Sequence, residues 1–202
     1  MSIRILISAL LIIASLTIGE LIRSSSSCVT TFGTLLNFRI VLNAYWMNPA
    51  NADRAPAMHK PLFQEAKLKI GPYVAAGKVQ TFDGATPLFP GLRSLPTPGH
   101  TPGHTFYVLE SQGEKLVFWG DILHIAAVQL PDPAVTIEFD SDPRAAAAQR
   151  ARAFADAAQR GYLVAPAHMA FPGVGHLRSD PGRPGYVWVP IAYINDAIET
   201  SR

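Results

Sequence analysis

The chain has 202 residues, of which 49% are hydrophobic and 16% charged, so it can bury the core of one ordinary domain. Its 17 basic and 15 acidic residues give a formal charge of +2 without any basic run, which excludes nucleic acid as an expected partner. The single cysteine, Cys28, excludes an intramolecular disulfide and a thiolate cluster, so histidine and carboxylate side chains must hold any metal.

The N-terminal segment differs in composition from the rest of the chain. Residues 5–18 carry no charge, but these 14 residues are too few for a bilayer core, which requires about 20 in a helix. We predict that this segment is a secretory signal. If residues 1–23 act as a signal, the protein is expected to be periplasmic or secreted, and otherwise cytoplasmic. A buried element of the domain, a lipoprotein signal ending at Cys28 and a membrane anchor are the alternatives. The expected division is an apolar leader and junction at 1–36 and one domain at 37–202.

Dispersed glycine and proline predict many short elements, which favours an α/β or α+β fold over a helical bundle. In the first half of the domain, β-branched and alternating residues indicate strands at 38–42, 79–82 and 88–95. Turn residues occupy 48–51. An apolar stripe that begins after Pro61 predicts a helix ending near Gly71 and Pro72, with a second short helix before Gly77.

The second half of the domain has stronger signals. Residues 105–109 and 115–119 predict a hairpin around the turn residues 111–114. A helix is expected from a cap at Ser141 or Asp142, through Pro143, to a stop at Gly161. A buried strand is predicted at 163–165 and a last strand at 186–190, after a loop at 182–185.

Three polar residues follow apolar runs that end in turns. His100 comes after Pro98 and Gly99, Asp121 follows the run 116–119, and His168 follows the strand predicted at 163–165. Taken singly, they could be a turn histidine, a loop cap and a satisfied core histidine. Together they supply nitrogen and hard oxygen ligands of the kind that zinc, iron or manganese accepts, and so predict a metal site.

Three segments resemble the metallo-β-lactamase-fold hydrolases, most closely the methyl parathion hydrolase branch and its lactonase relatives. They are TPGHTPGH at 97–104, LVFWGDILHIAAVQLPDPAVTIEFDSDP at 116–143 and AHMAFPGVGHLR at 167–178. The resemblance implies an αββα sandwich, of which residues 37–202 form mainly the C-terminal half.

The resemblance also implies roles for individual residues. His100 corresponds to the third histidine of the family's first metal site, Asp121 to the carboxylate that bridges both metals, and His168 to the closing histidine of the second site. In that family a hydroxide held between two metals, commonly zinc, attacks a carbonyl or phosphoryl centre. The implied substrate is a small ester, lactone or phosphotriester.

The remaining histidines of the region are candidates for supporting roles. His104 is expected to support the turn behind His100, because Pro102 and Gly103 oppose the helix that a second ligand at that spacing would require. His124 could line the substrate cavity or orient a ligand, and His176 could anchor its own loop. His59 lies in a polar stretch with no visible partner.

The sequence departs from the family at one decisive point. The His-x-His-x-Asp-His motif is absent, and no histidine precedes His59. Of the family's ligands, the chain therefore keeps one histidine of the first site (His100), one histidine of the second site (His168) and the bridging carboxylate (Asp121). Because the other ligands are missing, hydrolytic activity is expected to be impaired. The alternative is a non-catalytic, truncated half domain that pairs with another chain. A homo-oligomer is expected if one face of the sheet is left uncovered.

Overall fold

The computed structural model describes residues 40–82 and 84–192. The leader and junction predicted at 1–36, including the predicted signal and Cys28, lie outside these residues. Within them the helices are α1 (Pro49–Arg54), α2 (Lys60–Ala75), α3 (Ala126–Gln129) and α4 (Pro143–Arg160). The strands are β1 (Ile40–Asn43), β2 (Val79–Phe82), β3 (Pro87–Phe89), β4 (Leu92–Pro96), β5 (Thr105–Ser111), β6 (Glu114–Gly120), β7 (Leu163–Pro166), β8 (Gly175–Ser179) and β9 (Tyr186–Pro190). None of these helices has the length and apolar character that a membrane span needs.

The strands form two sheets in the described part of the chain. β1 and β2 pair in parallel, whereas β3 to β9 form a seven-stranded sheet in sequential order. All neighbours in the larger sheet are antiparallel except β6 and β7, which run parallel and are connected through α4. The mixed α/β prediction is therefore confirmed.

Helix α4 is bounded by the residues that the sequence indicated. The Asp142 carboxylate accepts a hydrogen bond from the Ala145 N–H, Pro143 occupies the first turn, and Gly161 ends the helix with φ of 67°. Its buried face, which includes Phe154, packs on one side of the sheet against Val117, Trp119 and Val164. Because α4 joins β6 to β7, it places Asp121 and His168 at the same end of two adjacent strands.

The opposite side of the sheet is also buried. A second cluster consists of the strand residues Leu92, Leu109, Leu116 and Phe118 together with Val174, which directly precedes β8. All five are buried. The homo-oligomer expected from an uncovered face stays a prediction.

Several local predictions were wrong. α2 does not stop at Gly71 and Pro72 but continues to Ala75, so the second short helix is part of the first. Proline removes only its own backbone donor, and the last turn still forms, with the Ala76 N–H donating to the Pro72 carbonyl at 3.1 Å. Residues 48–51 form a helix start, because the Asn48 side chain accepts from the Ala50 N–H. The strand predicted at 88–95 is divided by a turn at Pro90 and Gly91, and β8 was not predicted.

Candidate metal centre

The segment 97–104 is a loop closed by its first and last residues. The Thr97 N–H donates to the His104 carbonyl at 2.9 Å. The His104 Nδ1 lies 3.0 Å from the Thr97 carbonyl and 2.8 Å from its hydroxyl. Halfway along the loop, the Gly99 and His100 carbonyls accept from the Asp142 and Ser141 N–H groups, both at 2.9 Å. The start of α4 therefore fixes the backbone that carries His100.

His104 connects this loop to Asp121. Its Nε2 accepts from the Asp121 N–H at 3.1 Å, so the ring proton is on Nδ1, which donates to Thr97. Both ring nitrogens are therefore used, and His104 positions Asp121 through its backbone. Burial lowers the pKa of His104 to about 4, and this outweighs the opposing effect of the Asp121 carboxylate.

The Asp121 carboxylate is the centre of the histidine cluster. Its Oδ1 accepts from His168 Nε2 at 2.8 Å, and its Oδ2 lies 3.7 Å from His100 Nε2. Burial acts to raise the pKa of Asp121, but the hydrogen bond from His168 and the nearby imidazoles outweigh it and hold that pKa below its ordinary value. The structure thus brings the three predicted ligands together.

His100 is oriented by Asp140, which forms a buried ion pair with Arg150. The sequence did not predict this pair. Its Nδ1 donates to Asp140 Oδ1 at 3.0 Å, which leaves the Nε2 lone pair on the side of Asp121. Asp140 Oδ2 accepts from the Ile137 N–H and lies 3.6 Å from an Arg150 guanidinium nitrogen. Burial acts to raise the pKa of Asp140, but the bond from His100 and its other donors hold it below its ordinary value.

Arg150 could have been noticed in the sequence. It lies four residues after Ala146 and three or four before Ala153 and Phe154, so helical spacing places it on the apolar face of α4. A fully buried arginine requires partners on every donor. Asp140 gave no comparable signal, because the residue it orients lies 40 positions away.

His124 lies beside the predicted ligands and was assigned a supporting role. Its ring stacks on His168 with centroids 4.5 Å apart and lies 4.9 Å from the His100 ring. Burial, and then the nearby His100 ring, lower the pKa of His124 to about 4. Its Nδ1 is buried and has no hydrogen-bond partner among the described residues, which costs on the order of 1–3 kcal/mol in a metal-free chain.

These side chains fit a divalent cation. Asp121, His124 and His168 can each offer one ligand atom, and the three atoms lie within 4.8 Å of one another. Carboxylate and neutral imidazole are ligands that zinc and similar cations accept. The unpartnered buried nitrogen of His124 shows that the polar groups are not all satisfied by the protein itself.

The remaining candidates lie elsewhere. His176, on β8, donates from Nδ1 to the Gly161 carbonyl at 2.9 Å and is not part of the cluster. His59, which had no visible partner in the sequence, is buried with its Nδ1 3.4 Å from the Ser141 hydroxyl.

We expect metal-free protein to lose stability as the pH falls from about 6.5 to about 4 because of His104. Its pKa in the folded protein, about 4, lies below the ordinary value of 6.5. As the pH falls, His104 is therefore protonated in the unfolded chain before it is protonated in the folded protein, and this stabilises the unfolded state relative to the folded one. Between roughly pH 7.5 and pH 5 His104 alone lowers the unfolding free energy by about 2 kcal/mol. His124, whose pKa is also lowered to about 4, adds to the loss in the same direction. Urea unfolding at the two pH values measures it.

Two variants separate this effect from that of other groups. His104→Gln should remove about 2 kcal/mol of the pH-dependent loss, although it is also less stable at pH 7.5. His176→Gln should keep the whole loss, because that histidine lies outside the cluster. An unchanged loss in His104→Gln would contradict the prediction.

The model of the metallo-beta-lactamase superfamily matches residues 32–168, more than half of the chain. Hydrolase AbOPH, described as a member of the beta lactamase superfamily, is 33% identical with a TM-score of 0.69, covering 78% of this chain and 56% of AbOPH. No protein of curated function matches the chain.

Two more distant structures share the fold. AidC, described as a dizinc quorum-quenching lactonase in complex with the product N-hexanoyl-L-homoserine, is 22% identical with a TM-score of 0.57, covering 88% of this chain and 53% of AidC. A probable metal-dependent hydrolase from Staphylococcus aureus is 20% identical with a TM-score of 0.56, covering 77% of this chain and 53% of its own. The chain thus spans little more than half the length of each of these three proteins.

Proposed function

The chain belongs to the metallo-beta-lactamase superfamily, and we propose that it is a metal-dependent hydrolase of an ester, lactone or phosphotriester. The observation that carries this proposal is the position of Asp121 between His168, at 2.8 Å, and His100, at 3.7 Å. These residues come from three separate segments and meet at the ends of β6 and β7.

The residues proposed to hold the cation are His100, Asp121 and His168. A divalent cation bound there, for which zinc is our first expectation, would make a water molecule acidic near neutral pH and polarise the substrate oxygen. Asp140 fixes the His100 ring through Nδ1, and His104 fixes the backbone of Asp121. The protein therefore holds two of its ligands in place before any cation arrives.

A small substrate is consistent with the surroundings of the cluster. Ile125, next to His124, is 53% exposed, and Phe139, next to Asp140, is 61% exposed. Exposed apolar side chains beside a polar cluster suit a substrate with an alkyl or aryl part. AidC holds a lactone-derived product, so a lactone belongs in the substrate panel.

Metal analysis combined with turnover tests this function. Purified chain loaded with Zn²⁺ is offered an aryl ester, a lactone and an aryl phosphotriester. We expect hydrolysis of at least one class, and we expect Asp121→Asn to weaken metal binding by at least about 100-fold and to abolish turnover. Asp53→Asn, at an exposed site far from the cluster in sequence, is the matched control and should change neither.

Two results would refute the proposal. One is full metal loading of Asp121→Asn with wild-type affinity. The other is metal-loaded wild type that hydrolyses none of the three classes. The half-domain alternative remains a prediction, and light scattering with and without a chelator measures the expected homo-oligomer.

A further inference from the structure

The backbone at His124 is held by a buried side chain. Gln129 is 1% exposed, and its Oε1 accepts from the N–H groups of His124 and Ile125 at 2.8 and 3.1 Å. The Gln129 amide nitrogen donates in turn to the Val135 carbonyl at 3.1 Å. This arrangement fixes where the segment after Asp121 turns, and therefore where the His124 ring lies.

The His124 ring lies within ligand distance of the cluster. Two atoms bound to one zinc ion, each about 2.0–2.2 Å from it, are at most about 4 Å apart. The ligand atoms of Asp121, His124 and His168 all lie within 4.8 Å of one another. Side-chain rotations that move ligand atoms by about 1 Å or less would therefore let all three bind one ion.

His124 also differs from His104, which contacts the backbone of Asp121. His104 uses both ring nitrogens, one on Thr97 and one on the Asp121 backbone. His124 has a buried Nδ1 without a hydrogen-bond partner among the residues the structure describes. A partly buried imidazole beside a carboxylate and a second imidazole, with a buried nitrogen that has no hydrogen-bond partner, has the properties of a ligand.

We propose that His124 is a metal ligand, which with Asp121 and His168 forms a site of one carboxylate and two imidazoles for Zn²⁺ or a similar divalent cation. The proposal rests on the proposed function only in that this cluster binds a cation. Asp121 then faces His168 through Oδ1 and His100 through Oδ2. Three protein ligands are sufficient for a catalytic zinc site, and the fourth position stays open for water or substrate.

Cobalt titration tests the proposal, because Co²⁺ reports its ligands through its visible spectrum. His124→Phe preserves an aromatic ring against His168 but removes both nitrogens. We expect its Co²⁺ affinity to fall at least about ten-fold and its visible absorption to change. His176→Phe, outside the cluster, should bind like wild type.

A second variant reports coordination directly. In His124→Cys a thiolate would replace the imidazole, and we expect a thiolate-to-cobalt charge-transfer band in the near ultraviolet that the wild type, with only Cys28, does not show. A folded His124→Cys protein that binds Co²⁺ without this band would refute the proposal. So would His124→Phe with wild-type affinity and spectrum.

The outcomes separate this inference from the proposed function. If Asp121→Asn loses Co²⁺ binding and His124→Phe does not, only the role of His124 is wrong. If both variants lose binding but the loaded wild type hydrolyses nothing, the ligand assignment stands and the hydrolase proposal fails. A wild type that binds no Co²⁺ overturns both.

Discussion

Replacing Arg150 with methionine should lower the free energy of unfolding by about 3–5 kcal/mol. The guanidinium is fully buried and donates to the carbonyls of Ile122, Pro133 and Val135 at 2.7, 3.0 and 2.6 Å. It also lies 3.6 Å from the buried carboxylate of Asp140. Methionine fills much of the space but leaves the Asp140 charge without its cationic partner. It also leaves the carbonyls of Ile122 and Pro133 without this donor, whereas the Val135 carbonyl still accepts from Gln129. Urea unfolding of metal-free protein measures the loss.

Two further variants make this prediction specific. Arg152→Met alters an exposed arginine of the same helix and should change the unfolding free energy by less than about 0.5 kcal/mol. Asp140→Asn combined with Arg150→Met removes the unpaired charge but also one oxygen that accepts from His100 or Ile137, so the double variant should lose less stability than the sum of the two single variants. Equal stability of Arg150→Met and Arg152→Met would show that the buried pair does not stabilise the fold.

The second large effect is expected for Gly99→Ala, with a loss of about 3 kcal/mol or more. Gly99 has φ of 151°, and an added Cβ would lie 2.4 Å from the Ala146 nitrogen and 2.7 Å from its Cα. Those atoms belong to the backbone of α4 and cannot move without the helix. The loop would have to shift away and carry His100 with it, so we also expect at least about ten-fold weaker Co²⁺ binding.

Gly113→Ala is the matched control for Gly99→Ala. Gly113 also has a positive φ, 81°, but an added Cβ would meet no atom within 4 Å. Its cost should therefore be backbone strain alone, about 1 kcal/mol, with no change in Co²⁺ affinity. If the two variants were equally stable, contact with α4 would not be the reason for a glycine at position 99.

Much of the secondary structure could be predicted because its signals are local. The cap at Asp142, the proline after it and Gly161 each act within one helical turn, and they define α4 at both ends. The hairpin of β5 and β6 turns at Gln112 and Gly113, both with positive φ, as its turn residues indicated. β8 has weaker local signals, and its formation depends on its ladder with β9.

The features of the candidate site likewise fall into those that depend on neighbouring residues and those that depend on long-range contacts. The sequence by itself determined that His100, Asp121 and His168 follow apolar runs and turns, and it determined the family whose model matches residues 32–168. Only the tertiary structure decided that Asp140 and Arg150 hold His100, that His104 uses both nitrogens, and that His124 lies in the cluster. The physical reason is range: a cap or turn depends on neighbouring residues, whereas the bonds from Asp121 to His168 and from His100 to Asp140 join residues 47 and 40 positions apart. Such contacts depend on strand pairing and helix packing, which no short segment specifies.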